Sequence, residues 1–301
     1  MPYIKKELKL RNLRAYELLM QEQNISMSRA QRLIDKKRLF CNDVPVSKKN
    51  EFLSGKIELL VYENKAQGVE VVFEEDDFAV LEKASGVLSH PNGRHCKYSL
   101  CDEIWALWGE QACVAHRLDK QTSGLILVAK NKNAQIELKK MFENKEIKKQ
   151  YLALVKGETP REFTVNKALA LADDYDDVKI RVRPCDSGKK AISLFTRLEY
   201  FKDLDASFLL CKPLTGRQHQ LRAHLFYSGY RILGDCLYGL EKGDIERILD
   251  ELVSEKELLK LCLATRLCLH SYNLSFEFKG KFYDIYSKKD AKKDFLKALH
   301  L

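Results

Sequence analysis

Short apolar runs separated by turn-forming residues make up much of the chain. Leu125-Ile126-Leu127-Val128-Ala129 is fenced by Gly124 and by Lys130-Asn131, the pattern of a strand buried on both faces. Comparable runs predict strands over Val69–Phe73, Phe78–Glu82, Tyr151–Val155, Ala191–Leu198 and Phe208–Cys211, and "GKIELLVYE" predicts another ahead of residue 64. From Leu274 to Tyr286 the alternation predicts one further strand. Helical spacing is rarer. It covers Lys132–Asn144, the stretch "SMSRAQRLIDKKRLF" with Ser28 as cap and Ala30, Leu33 and Ile34 on one face, and "TGRQHQLRAHLFYSG" with Thr215 as cap before Leu221 and Leu225. The sum is an α+β fold around a mainly antiparallel, mixed sheet, preceded by a small α/β domain. The polar stretch "ENKAQG" (Glu63–Gly68) reads as a linker and divides the chain into domains 1–64 and 65–301.

Charge changes this picture at one end. The chain carries 52 basic and 43 acidic residues, a net charge of +9, so a polyanionic partner fits. Residues 1–64 hold 13 of the Lys/Arg and 8 of the Asp/Glu, a surplus of 5, which is more than half of the excess. Arg29, Arg32 and Lys36 fall at i, i+3 and i+7 on a face of their own. No run is long enough for a membrane span, and "MPYIKKELKL" lacks the apolar core of a signal peptide. The nine cysteines include no Cys-x-x-Cys pair, which argues against a zinc site or disulfide scaffold and for a reducing, cytoplasmic setting.

The chemistry concentrates in "VAHRLDKQTSGLILVAKN". There His116, Arg117, Asp119, Lys120, Thr122 and Ser123 stand within eight residues of the mouth of the buried strand. A rigid strand end is a good place from which to present side chains, although an ordinary solvated turn would look similar. No phosphate loop or Gly-x-Gly-x-x-Gly follows a strand, so no nucleotide cofactor is expected. Ser123 is not in a Gly-x-Ser-x-Gly elbow. His219 and His224 are five apart, on different faces of a helix, so no joint metal site is expected. What remains is Asp119, Tyr151 and the arginine pair Arg217 and Arg222.

Two resemblances emerge from these motifs. Residues 11–62, through "SRAQRLIDKKRLFCNDVPV", resemble the S-four-type RNA-binding domain; Asn42-Asp43 stands where that family has an Asn-Gly turn. That likeness implies a module gripping RNA phosphates through Arg29, Arg32 and Lys36. From Val69 to Ser287 the chain resembles the RluA-type pseudouridine synthases, through "LEKASGVLSHPNG", "HRLDKQTSGLILVAKN", "KKQYLALVKG", "LTGRQHQLRAHL", "ILGDCLYG" and "RLCLHSYNLSF". Ala84 stands where a proline is usual.

The second resemblance implies an isomerase that converts uridine to pseudouridine in RNA without a cofactor or metal. Asp119 would be the catalytic carboxylate, Arg222 its basic partner, and Tyr151 a base-stacking proton acceptor. Arg117 would contact RNA or fill the gap left by an everted uridine. His116 is read first as a supporting residue and is grouped with Arg117, Thr122 and Arg217 on the substrate-binding side. The leading substrate is large-subunit ribosomal RNA, with transfer RNA as the alternative, and the enzyme is expected to act as a monomer away from membranes. A silent RNA-binding protein would lack Asp, Tyr or Arg, and a hydrolase would leave the basic amino-terminal module unexplained. The recognition loop is sought around "LADDYDDVKIRVRPCDSGKK".

Overall fold

In the computed structural model, residues 3–9, 11–62, 66–91, 96, 98–171 and 181–299 are described. Residues 172–180 of the expected recognition loop lie outside them. Two compact units form: one holds Met1–Ala66 and takes in Cys96 and Tyr98, the other holds Gln67–Pro91 and Ser99–Leu301.

The first unit comprises β1 (Tyr3–Leu8), α1 (Ala15–Gln23), α2 (Met27–Asp35), β2 (Leu39–Cys41), β3 (Val44–Pro45) and β4 (Ile57–Tyr62). Its strands form an antiparallel sheet in the order β1-β4-β2-β3. Leu18, Leu19, Ala30, Ile34, Leu39 and Leu59 make its core. Helix α2 starts earlier than expected. Its cap is Ser26, whose Oγ accepts from the Arg29 N–H, while Ser28 already lies inside the helix. Between β2 and β3, Asn42 and Asp43 both adopt left-handed backbone (φ 50° and 64°), so the turn is the two-residue primed type. Asn42 is suited to it because its amide side chain accepts from the Lys56 N–H (2.9 Å) and donates to the Ser54 carbonyl (3.2 Å).

The second unit runs β5 (Glu70–Glu74), β6 (Phe78–Lys83), α3 (Leu100–Trp108), β7 (Cys113–Val114), β8 (Ser123–Ala129), α4 (Lys132–Glu143), β9 (Lys148–Lys156), β10 (Glu162–Asn166), β11 (Leu169–Leu171), β12 (Val182–Pro184), β13 (Ile192–Phe201) and β14 (Ala206–Pro213). It continues through α5 (Gln220–Phe226), α6 (Lys242–Leu249), α7 (Glu255–Cys262), β15 (Leu269–Phe278), β16 (Lys281–Tyr286) and α8 (Ala291–Ala298). The main sheet has the order β10-β13-β14-β9-β15-β8-β6-β5, with β16 on β15 and β7 on β8. The β8–β15 pair is parallel and the other pairs in this sheet are antiparallel, giving the mixed α+β architecture. The segment 274–286 is a hairpin, not one strand: Lys279 and Gly280, both at positive φ, reverse the chain between β15 and β16.

Strand β8 is buried along its whole length because the sheet has a core on each face. Ile126 and Val128 face one core with Leu100 and Ile104 of α3, and Leu125, Leu127 and Ala129 face the other with Leu138 and Met141 of α4. Gly124 is required where β8 meets β15. At φ 103°, a Cβ there would lie 2.3 Å from the Ser271 carbonyl oxygen, so only hydrogen fits. Among the described residues no helix is long and apolar enough to cross a membrane.

A buried polar chain ties β6, β8 and β15 together. Arg266 donates to Ser123 Oγ (2.5 Å), Ser123 to His270 Nδ1 (2.9 Å), His270 Nε2 to Ser287 Oγ (2.9 Å) and Ser287 to Glu82 (2.7 Å). Burial raises the Glu82 carboxyl from its ordinary 4.5 to about 7, partly offset by the Ser287 hydroxyl. The folded state thus holds a proton that the unfolded chain releases, and stability attributable to Glu82 falls as pH rises through that window. Relative to wild type, Glu82→Gln should therefore gain about 1–3 kcal/mol between pH 5 and pH 8. Urea titrations at the two pH values measure this, and parallel pH trends for the two proteins would refute it.

Candidate active site

Asp119 stands in the turn just ahead of β8, and the backbone around it is held from several sides. The Thr122 N–H donates to the Asp119 carbonyl (3.1 Å), and Ser89 Oγ is bonded to both the N–H and the carbonyl of Leu118 (3.1 and 2.8 Å). Lys83, fully buried at the end of β6, donates to the carbonyls of Ala84 (3.0 Å), Val87 (2.7 Å) and Lys120 (3.0 Å). Burial pushes its ammonium down to about 7, with Asp119 pulling the other way. Ser85 Oγ donates to the Gln121 carbonyl (2.7 Å). The Asp119 carboxylate itself remains partly open, with 28% of its side chain exposed.

Arg222 arrives from α5. Its Nη1 donates to Asp119 Oδ2 at 3.1 Å, while Nε and Nη2 both donate to Asp235 at 2.7 Å, a bidentate grip. Asp235 is buried and also accepts the N–H groups of Leu237 (2.8 Å) and Tyr238 (3.1 Å). Burial opposes both charges. The mutual attraction and hydrogen bonds outweigh it, raising the Arg222 pKa and lowering that of Asp235. The guanidinium also lies over the Tyr238 ring, 5.4 Å from its centroid. Tyr151, on β9, is buried, and its phenol is pushed up by burial and then by the Asp119 charge. Asp119, Tyr151 and Arg222 are thus brought together from 3 distant parts of the chain.

The other expected contacts divide. Arg117 is exposed, and its guanidinium makes no hydrogen bond or ion pair among the described residues. Arg217 is exposed, with Nε donating to the Lys190 carbonyl (3.1 Å). Thr122 is buried and closes the Asp119 turn through its backbone. His116 is not turned toward Asp119 for substrate: its Nε2 accepts the Leu127 N–H (3.1 Å) and its ring packs on Phe142 (4.7 Å). Burial pushes this imidazole down to about 3, so it serves as a neutral backbone acceptor, the supporting role first read for it. Arg29, Arg32 and Lys36 are exposed on the first unit, Arg29 and Arg32 on α2 and Lys36 at its carboxyl-terminal cap. Thr215 does not cap α5. Its hydroxyl donates to Gln220 Oε1 (2.7 Å) and accepts the Ile192 N–H (3.0 Å), and the residue before the helix is His219.

Sequence reading missed Asp235, His219 and Lys149. Asp235 had a signal, a lone charge inside the otherwise apolar "ILGDCLYG". His219 Nε2 lies 3.8 Å from Asp119 Oδ2, whereas His224 is turned to Ser193 Oγ and the Lys167 carbonyl, both 3.0 Å away. Lys149 precedes Tyr151 by two positions on β9, the spacing that shares a face. Its ammonium, lowered by burial, lies over the Phe142 ring at 5.6 Å.

A family model described as RNA pseudouridylate synthase matches residues 77–226. An uncharacterized RNA pseudouridine synthase of Helicobacter pylori strain J99 is 36% identical over 289 residues, covering 95% of this chain and 96% of the relative. The ribosomal large subunit pseudouridine synthase C of Vibrio parahaemolyticus is 32% identical over 238 residues, covering 78% of this chain and 69% of its own. Among solved structures, human RNA pseudouridylate synthase domain containing 1 shares the fold, with TM-score 0.59, 23% identity, and coverage of 76% of this chain and 86% of that one.

Removing the charge of Asp235 should be costly, because Arg222 would stay buried with half its compensation gone. Asp235→Asn is expected to lower unfolding free energy by about 3 kcal/mol. Denaturant titration reads this directly; wild-type stability would mean that Asp119 alone balances the guanidinium.

Proposed function

Because this chain belongs to the RNA pseudouridylate synthase family, we propose that it converts uridine to pseudouridine in large-subunit ribosomal RNA with Asp119 as its catalytic carboxylate. The observation that carries the site assignment is the Asp119–Arg222–Asp235 bridge. Asp235 is the buried carboxylate that fixes the arginine, and Asp119 is the open one that can meet substrate. In the reaction the bond from uracil N1 to the ribose breaks, the base turns, and a bond from C5 to the same sugar carbon forms. N1 ends with a proton and C5 without one, so product and substrate have the same atoms.

Asp119 suits attack or charge stabilisation at the sugar, and the Arg222 hydrogen bond holds it oriented. Tyr151 stacks on the base. Its raised pKa keeps the phenol protonated at neutral pH, so it takes the C5 proton only by passing its own onward to Asp119, once released, and that proton is then given up to N1, which returns both side chains to their starting state. The uridine must leave its helix to reach this site, and Arg117 is the exposed planar cation that fills the vacated stack. Ribosomal RNA is favoured by the likeness to the Vibrio enzyme. All nine cysteines are free thiols, which supports a reducing, cytoplasmic setting.

Residues 1–64 act in this reading as an S-four-like RNA clamp. The exposed Arg29, Arg32 and Lys36 and the tight Asn42-Asp43 turn support it.

Two experiments test these assignments. Pseudouridine mapping in cells carrying wild type, Asp119→Asn or no enzyme should show one set of ribosomal positions that only wild type modifies. Purified Asp119→Asn should bind RNA normally with no turnover, while Tyr151→Phe should bind normally and turn over ~10²–10⁴-fold more slowly. Appreciable conversion by Asp119→Asn refutes the catalytic role, and positions lost only from transfer RNA redirect the substrate. In the second experiment, alanine at Arg29, Arg32 and Lys36 together should reduce the slope of log affinity against log salt by about 2–3. An unchanged slope would remove this face from the RNA interface.

A further inference from the structure

Two groups approach one oxygen of Asp119. Arg222 Nη1 donates to Oδ2 at 3.1 Å, and His219 Nε2 stands 3.8 Å from the same atom. Oδ1 accepts no hydrogen bond among the described residues. His219 sits immediately before α5 with left-handed backbone, φ 49° and ψ 20°, a conformation in which a side chain with a Cβ is disfavoured. Glycine or asparagine would occupy that position with less strain. Backbone of this kind persists where surrounding contacts hold it, and it gathers at functional sites.

The ring's environment specifies its proton. Nδ1 lies 3.4 Å from the Tyr238 hydroxyl, and the two rings meet edge to face at 6.0 Å. Burial and then Arg222 lower the imidazole pKa, against Asp119 and Asp235, so the ring is neutral. The Tyr238 hydroxyl donates to the Val182 carbonyl (3.3 Å), so it is the carboxylate that selects the tautomer: a lone pair on Nε2 would face the Asp119 charge, whereas an N–H there meets it. The 3.8 Å gap is longer than a hydrogen bond, and catalytic contacts of this kind commonly tighten when substrate enters.

We propose that His219 is a positioning residue of the isomerisation: its Nε2–H secures Asp119 Oδ2 beside Arg222, so that Oδ1 alone is presented to the uridine. The inference rests on Asp119 being the catalytic carboxylate. His219 orients that carboxylate and does not touch the reacting atoms.

The test uses the full chain and the unmodified transcript, ribosomal or transfer RNA, that the wild-type enzyme converts. His219→Gly removes the ring and relaxes the backbone, and His219→Gln restores an amide N–H at similar reach. His219→Gly should keep its melting temperature and a KM within about twofold while kcat falls ~10²-fold. His219→Gln should recover at least about tenfold of that loss. If His219→Gly fails to fold, His219→Asn, which tolerates the left-handed backbone but ends short of Oδ2, should show the same fall in kcat. Wild-type kcat in the glycine or asparagine variant overturns the proposal, as does a loss confined to KM or a glutamine variant no better than glycine. An active Asp119→Asn enzyme would instead overturn the reading of Asp119 on which this one depends.

Discussion

A single guanidinium held between two carboxylates organises the second unit. Arg222 uses its bidentate edge on Asp235 and one remaining N–H on Asp119. The two acids therefore do different work although their chemistry is the same. Asp235, shut away and given two backbone N–H groups, anchors the cation. Asp119 stays partly open to solvent. Without the first acid, a buried arginine would be an uncompensated charge; without the arginine, the second would have no fixed direction.

The sheet makes this bridge possible by collecting distant segments. Asp119 leads into β8, Tyr151 rides on β9, and Arg222 projects from α5 after β14. Strand β15 lies between β8 and β9 and pairs with both, so it sets the spacing from the aspartate turn to the tyrosine. Its close passage against Gly124 leaves no room for a side chain there. The Ser123–His270–Ser287–Glu82 chain then fastens β8 and β15 to β6 by hydrogen bonds.

Much of this was legible beforehand, for identifiable reasons. Strand β8 announced itself because five consecutive apolar residues between a glycine and Lys-Asn have few other uses. Asp119, Tyr151 and Arg222 were singled out because each sits in an extended motif whose order along the chain is specific, and the fold brings those segments together. Local signals failed where tertiary contacts decide. Ser26 rather than Ser28 caps α2, since either serine could satisfy the first turn. The residue before α5 is His219 rather than Thr215, and Gln220 uses its side chain to hold Thr215 and the backbone of the loop. The partnership of Asp235 with Arg222 crosses 13 residues and depends on burial that no spacing rule encodes.

Lys83 bears on how this site can vary among sequences. It grips three backbone carbonyls, at Ala84, Val87 and Lys120, and touches none of their side chains through those bonds. A carbonyl is supplied by every amino acid, so the clasp is blind to residue identity in the loop it closes. Alanine at position 84, where related motifs have proline, preserves the acceptor that Lys83 needs. At Ala84, Val87 and Lys120 the clasp therefore asks nothing of the side chain, whereas Ser85 and Ser89 hold the Asp119 turn through their own hydroxyls, so the two kinds of support place different demands on the same loop.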